Sequence, residues 1–286
     1  MLWERAKNLM IVFFLVLNAL LAWFLYRESN RYTLTQEREQ AVYDVLRRNN
    51  VTRYTRIMRN YAPMRPLAIS GYAYDSEALV QIFFDEPETV TAEESNPDES
   101  VYYTDAARLV ISNGYISYEL ISAGGTAADE GAPRTASASA LCEEFIRKHF
   151  PDYRADGMIT ETGGLRYIYR QAYQNYLVYG NFIEFFVTAD GIAQIDMQYG
   201  TVLGFEGQEQ EICPPDEALL TFIQRIRSLY GGAPVMLTQM DMVYYYQEEP
   251  NRRGYMVLQA VPYYRIFIED QALPFLVNAY SNVCIN

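Results

Sequence analysis

LMIVFFLVLNALLAWFLY, residues 9–26, decides how the rest of the chain is read. Its 18 positions hold no charge, and Asn18 is the one strongly polar member. At about 1.5 Å per helical residue the stretch just spans a hydrocarbon layer about 30 Å thick. Trp3, Trp23 and Tyr26 stand near its ends, where amphipathic rings favour the headgroup region. A helix apolar on every face is expected in lipid, so the reading is a transmembrane helix over 9–26 with a short tail, 1–8, before it. A cleaved leader fits less well. The apolar run exceeds the usual h-region, and Tyr26-Arg27-Glu28-Ser29-Asn30-Arg31 offers no small-x-small site. Lys/Arg counts on the two sides do not choose an orientation, but a long following domain crosses regardless of its own charge. The expectation is therefore a cytoplasmic N-terminus and an extracytoplasmic bulk.

The whole chain has 286 residues and a formal net charge of −13. Half of it is apolar, enough for a packed core, which excludes wholesale disorder. The acidic balance argues against nucleic acid as a partner, because phosphates need a basic surface. Charge is uneven, however. Residues 27–66 carry nine arginines against four acids, whereas 67–286 carry 12 basic and 31 acidic side chains. The basic stretch adjoins the membrane helix, and two readings stay open: contact with anionic headgroups, or a solvated stalk.

Outside the membrane the pattern alternates helices with strands. Thr33–Asn49 reads as a helix opened by a Thr33-x-x-Gln36 capping box, with Val42, Val45 and Leu46 on its apolar face. Period-2 stretches follow at Leu67–Tyr74, Leu79–Phe84, Arg108–Ser112 and Tyr115–Ser122, the last two joined by the turn signal Asn113-Gly114. Residues 85–100 hold seven acids and no base, read as a solvated loop because the ligand spacing of a calcium loop is missing. Residues 123–137 read as a Gly/Ala/Ser/Thr linker, placing one α+β domain at 27–122 and a second at 138–286. The second begins with a helix capped by Ser139, striped by Leu141, Cys142, Phe145 and Ile146, and stopped by Pro151. Strands at Gly164–Gln174, Tyr176–Ala189 and Ile192–Tyr199 lead to a helix over Pro215–Tyr230. Leu219, Phe222, Ile223, Ile226 and Leu229 form that helix's buried face, and Gly231-Gly232 ends it. Strands at Val235–Tyr246, Tyr255–Val261, Tyr263–Glu269 and Phe275–Ala279 complete the chain. The fold class is α+β, helix-plus-antiparallel-meander units behind one membrane helix.

Catalytic signatures are missing. His149 is the one histidine, and Cys142, Cys213 and Cys284 are far apart and odd in number, so a zinc site finds no ligand set and the default is single buried thiols. No nucleophile elbow, phosphate loop or dinucleotide fingerprint occurs, so the chain reads as a non-enzyme without cofactor or metal. The 26 tyrosines alternate in the strands, which suits half-buried sheet faces as well as a recognition surface. Within the membrane helix, Asn18 stands where an amide bonds either a neighbouring helix or its own helix backbone, and Ala19 and Ala22 either let backbones approach or are mere filler. Phe14 and Leu15 share that side, so Asn18, Ala19, Ala22, Phe14 and Leu15 are the expected partner-contact residues.

Trp3, Lys7 and IVFFLVLN ending at Asn18, with Val261-Pro262-Tyr263-Tyr264-Arg265-Ile266 and Phe275-Leu276-Val277-Asn278-Ala279-Tyr280, resemble the YycI family of Gram-positive bacteria. Ile183-Glu184-Phe185, Asp190-Gly191 and the DEAL start of the 215–230 helix are similar to YycI and its relative YycH. The chain departs from the family pattern at the acidic stretch 85–100, at Tyr264 and at Ser281-Asn282. The resemblance implies a single-pass accessory protein of a two-component system. Its partners would be a sensor histidine kinase of the WalK (YycG) type, which governs cell-wall metabolism, and a YycH-like protein. The residues alone leave a second function open, an extracytoplasmic module that binds a small ligand or wall fragment in a Tyr-lined cleft.

Overall fold

The computed structural model describes residues 2–53, 55–71, 74–96, 99–112, 114–121, 135–198, 200–246 and 257–285. In chain order the elements begin with α1 (Leu2–Arg31), α2 (Gln36–Arg48), β1 (Val51–Arg53), β2 (Leu67–Ser70) and α3 (Ser76–Phe83). Next come β3 (Thr91–Asn96), β4 (Glu99–Tyr103), β5 (Ala107–Ser112), β6 (Tyr115–Leu120) and α4 (Thr135–His149). The long strands β7 (Tyr153–Glu161), β8 (Gly164–Tyr173), β9 (Tyr176–Thr188) and β10 (Gly191–Gln198) are followed by the short β11 (Val202–Phe205). The chain ends with α5 (Pro215–Tyr230), β12 (Val235–Tyr245), β13 (Val257–Ile268), β14 (Phe275–Asn278) and β15 (Cys284–Ile285). The class is α+β, as the pattern of the sequence implies.

Contacts group the residues into two compact units. The first joins Met1–Met64, Gln210–Asp241 and Tyr264–Asn286; the second joins Arg65–Glu209 and Met242–Tyr263. Both β12 and β13 therefore begin in one unit and end in the other.

In the first unit α2 packs on α5. Val42 and Leu46 of α2 are buried, as are Ala218, Leu219, Phe222, Ile223 and Ile226 of α5. Phe222 meets Phe275 of β14 edge to face at 5.3 Å. The bounds of α5 follow from its punctuation. Pro215 needs no N–H partner at the first turn, and Gly231 closes the helix at φ 60°, where a Cβ would be strained. Leu229 departs from expectation: it is 52% exposed in the last turn, while Asp216 is buried at the first. The start of α2 is also corrected. Thr35 is the cap, its Oγ1 accepting from Arg38 N at 3.4 Å, whereas Thr33 forms a bridge with Asn60. β1 runs parallel to β12, Val51 opposite Val235, and β15 pairs antiparallel with β14.

The second unit is built on a sheet with the order β11-β2-β13-β12-β9-β10-β6-β5-β4-β3, with β7 and β8 leading on to β9. Helices α3 and α4 cover one face of it. Leu79, Val80 and Phe83 of α3, with Ala138, Cys142 and Ile146 of α4, pack against Leu109, Ile116, Tyr167, Tyr169, Ile183, Phe185 and Met197. Residues 79–83 are thus helical and not a strand, and Phe84 is the extended residue that follows the helix. Asp75 decides this by accepting from the amides of Glu77 and Ala78, both at 3.1 Å, after which the apolar residues fall on one helical stripe. The acidic stretch 85–100 is likewise corrected. A 3₁₀ turn, Pro87–Thr89, leads into the antiparallel pair β3 and β4, with Thr91 opposite Tyr103.

Helix α4 starts at Thr135, inside the expected linker, and Ser139 bonds Glu143 Oε1 at 2.9 Å, so it is not the cap. The rest of the linker, 123–134, lies outside the described residues, as do Asn113 of the expected turn and Tyr199. The break expected at Pro262 does not occur, because β13 runs through it; a strand carries a proline where its N–H is not needed for the ladder. Residues 255 and 256 of the expected first strand there are outside the described residues. Strands β1, β7, β11 and β15 add to the elements expected from sequence.

Candidate membrane helix and polar clusters

Helix α1 is 30 residues long, about 45 Å at the helical rise. Its segment Lys7–Leu25 has a mean hydropathy of 2.3 and is 0% buried by the rest of the chain, so it is long and apolar enough to cross a membrane. Phe14, Asn18 and Ala22 are four residues apart and line one face; Leu15 and Ala19 continue it one position round. Phe14 and Leu15 are 65% and 64% exposed. Asn18 donates from Nδ2 to the Phe14 carbonyl at 2.8 Å. That bond occupies one amide N–H within its own helix, and a carboxamide has a second N–H and an acceptor oxygen besides. Beyond Leu25, the Arg27 guanidinium lies 5.7 Å from the Trp23 ring centroid, and that of Arg31 lies 5.2 Å from the Tyr32 ring. Cation and ring therefore leave the apolar segment together.

The basic stretch is paired more than its charge implies. Arg31 meets Glu211 at 3.0 Å, Arg38 meets Asp216 at 2.7 Å, and Arg59 meets Glu39 at 2.6 Å. Glu39 is buried beside Tyr43, which donates to it; that hydrogen bond holds its carboxyl below the ordinary range, against burial and with help from Arg59.

Two polar groupings lie within the second unit and neither was read from the sequence. Around Arg170, Nε binds Asp156 Oδ2 at 2.7 Å, Nη1 donates to the Tyr179 carbonyl, and the guanidinium stacks 3.8 Å from the Tyr179 ring. Around Arg166 gather Glu161, Asp196 and Glu184, at 2.5, 3.4 and 3.7 Å. The signal that could have located them is that Arg166 and Arg170 of β8, Glu184 of β9 and Asp196 of β10 alternate with the apolar positions that face α3 and α4.

The expected chemistry-bearing residues do not converge. His149 closes α4 with its ring 5.0 Å from Phe145, and burial, then Lys148, pulls its pKa down. All three cysteines are free. Burial pushes Cys142 and Cys213 up to about 12, which keeps both as unreactive thiols near neutral pH. Among the described residues no group of three His, Cys, Asp or Glu is placed to hold a metal ion.

No known protein family matches this chain, and no curated protein matches it significantly. Solved structures do. An uncharacterized protein from Eubacterium rectale ATCC 33656 is similar at a TM-score of 0.52 and 10% identity, over 83% of this chain and 91% of that one. This is a shared fold. YycH from Bacillus subtilis matches at a TM-score of 0.48 and 11% identity, over 76% of this chain and 54% of its own length. The YpeB C-terminal domain of Bacillus megaterium matches at 0.43 and 8% identity, over 76% and 96%.

Proposed function

We propose that this chain is a membrane-anchored accessory regulator of a cell-wall-sensing two-component histidine kinase of the WalK type. The N-terminus lies in the cytoplasm, α1 crosses the membrane, and the α+β body stands outside. It acts by packing α1 against partner helices through Asn18, Ala19, Ala22, Phe14 and Leu15, and by extracellular contacts, with a YycH-like protein among its partners. The observation that carries this reading is a fully exposed apolar helix of membrane length bearing one amide on a small-residue face. The YycI-like motifs at residues 11–18, 261–266 and 275–280 supply the system it serves. The body's role is contact and not turnover.

The test is photo-crosslinking from position 18 in native membranes, with mass-spectrometric identification of what is captured. A histidine kinase or a second single-span protein is the expected catch; lipid alone, with an intact body, overturns the reading. Replacing Asn18→Leu removes a helix–helix hydrogen bond worth about 1 kcal/mol, so co-purification of the kinase should fall about fivefold. The body's thermal unfolding should not change.

A further inference from the structure

In the second unit, Leu165, Tyr167 and Tyr169 of β8 face the helices, so Arg166 and Arg170 lie on the opposite sheet face. Register places Glu184 of β9 directly opposite Asp196 of β10, and Asp196 directly opposite Ser117 of β6. Two like charges thus form a cross-strand pair, an arrangement that destabilises a sheet when both are ionised. The three carboxylates around Arg166 are not equally satisfied. Glu161 takes the guanidinium as a fork, at 2.5 and 3.1 Å. Asp196 accepts from Ser117 Oγ and from Gln194 Nε2, each at 2.8 Å, and from Arg166 Nη1 at 3.4 Å. Glu184 has only Arg166 Nη1 at 3.7 Å and accepts no hydrogen bond among the described residues. The neighbouring cation, Arg170, is engaged by Asp156. Tyr115 of β6 completes the surroundings; burial raises its pKa, with the nearby Asp196 adding to it, so its hydroxyl stays neutral.

We propose that this cluster is a proton-operated latch: on acidification Glu184 takes up one proton and donates it as a hydrogen bond to Asp196, strengthening the β9–β10 pairing. One proton leaves the solvent for the Glu184 carboxylate, and the pair passes from two negative charges to one, shared across the strands. Burial pushes the Glu184 carboxyl upward, with Asp196 and Glu161 adding to it, against the pull of Arg166 and Arg170. An acid whose pKa is raised in the folded state binds more protons folded than unfolded. The sheet therefore gains stability as pH falls from neutral toward the ordinary carboxylate range, and loses it as pH rises through the raised value. His149, with its lowered pKa, acts in the opposite sense, so the latch is read as a difference between wild type and variant.

The experiment uses the full chain in detergent micelles. Glu184→Gln supplies the amide donor permanently and mimics the protonated state. At neutral pH it should melt about 2–4 °C above wild type. Just above the ordinary carboxylate range the gap should close. A gap of equal size at both pH values, or a variant that melts lower at neutral pH, overturns the latch. As a measurement independent of the variant's stability, infrared titration of wild type should show a protonated-carboxyl band persisting above the ordinary carboxylate range and shifting when Ser117→Ala alters the environment of Asp196. A band confined to the ordinary range overturns it.

Discussion

Phe222→Ala should lower the stability of the first unit by about 3–5 kcal/mol, a large part of what holds a domain together. Phe222 is fully buried on α5, between Leu219, Ile223 and Ile226, with its ring edge to face against Phe275. Removing the ring loses its transfer free energy and leaves a cavity between a helix and a strand, each held by its own hydrogen bonds and unable to collapse into it. Hydrogen exchange on the full chain in micelles is the suitable readout, since both tryptophans belong to α1 and do not report on the body. The amides of α5 and α2 should exchange faster together, because α2 packs on α5. Leu229→Ala, on the same helix but 52% exposed, should stay within about 0.5 kcal/mol of wild type. Equal losses for the two substitutions would sink this account of the core.

Asn181→Leu should cost the second unit about 3 kcal/mol although it conserves volume. Asn181 is 0% exposed in β9 and makes four hydrogen bonds to three residues. Its Nδ2 donates to the Gly200 carbonyl at 2.9 Å and to Gln171 Oε1, and its Oδ1 accepts from Gly200 N at 3.1 Å and from the Tyr246 hydroxyl at 2.8 Å. A leucine removes the side-chain partner of Gly200 N–H and C=O, and each buried polar group so deprived costs about 1–3 kcal/mol. Tyr246→Phe removes a single hydroxyl and should cost about 1 kcal/mol. The adjoining Gly180 shows how closely this corner is built, since a Cβ there would lie 2.6 Å from the Tyr246 ring. Chemical denaturation of the two variants and of the double variant tests the network. Losses that simply add would mean that Asn181 and Tyr246 act separately.

How far the fold is legible in the sequence depends on how strongly each segment is punctuated. Helix α5 can be read to its end residues because Pro215, Asp216 and Glu217 open it, Gly231 closes it and a 3.6-residue stripe runs between. Helix α3 cannot. Its eight residues are too few for a helical period to stand apart from a buried strand, and only the Asp75 cap settles the matter. The β3–β4 pair is hidden for a different reason: acids are poor strand formers, so a hairpin made from an acidic stretch contradicts local propensity. Thr33 and Thr35 both have a capping side chain, and which of them caps is set by the bridge from Thr33 to Asn60, a contact between distant residues. The face of α1 that carries Asn18 is visible directly, because helical spacing alone defines it. The Arg166 cluster is not. Its members come from β7, β8, β9 and β10, and they meet only through a register that the order of residues does not state.

The way the chain passes between its two compact units has a consequence for inheritance. The first unit draws on three separate spans of sequence and the second on two, with β12 and β13 divided between them. No single break in the gene separates one unit from the other. A recombination event anywhere inside residues 65–263 would hand each product an incomplete set of strands, so the body should be acquired, swapped or lost only as a whole. Helix α1 is different: it lies outside residues 65–263, and a crossover between it and α2 exchanges it while leaving every strand complete.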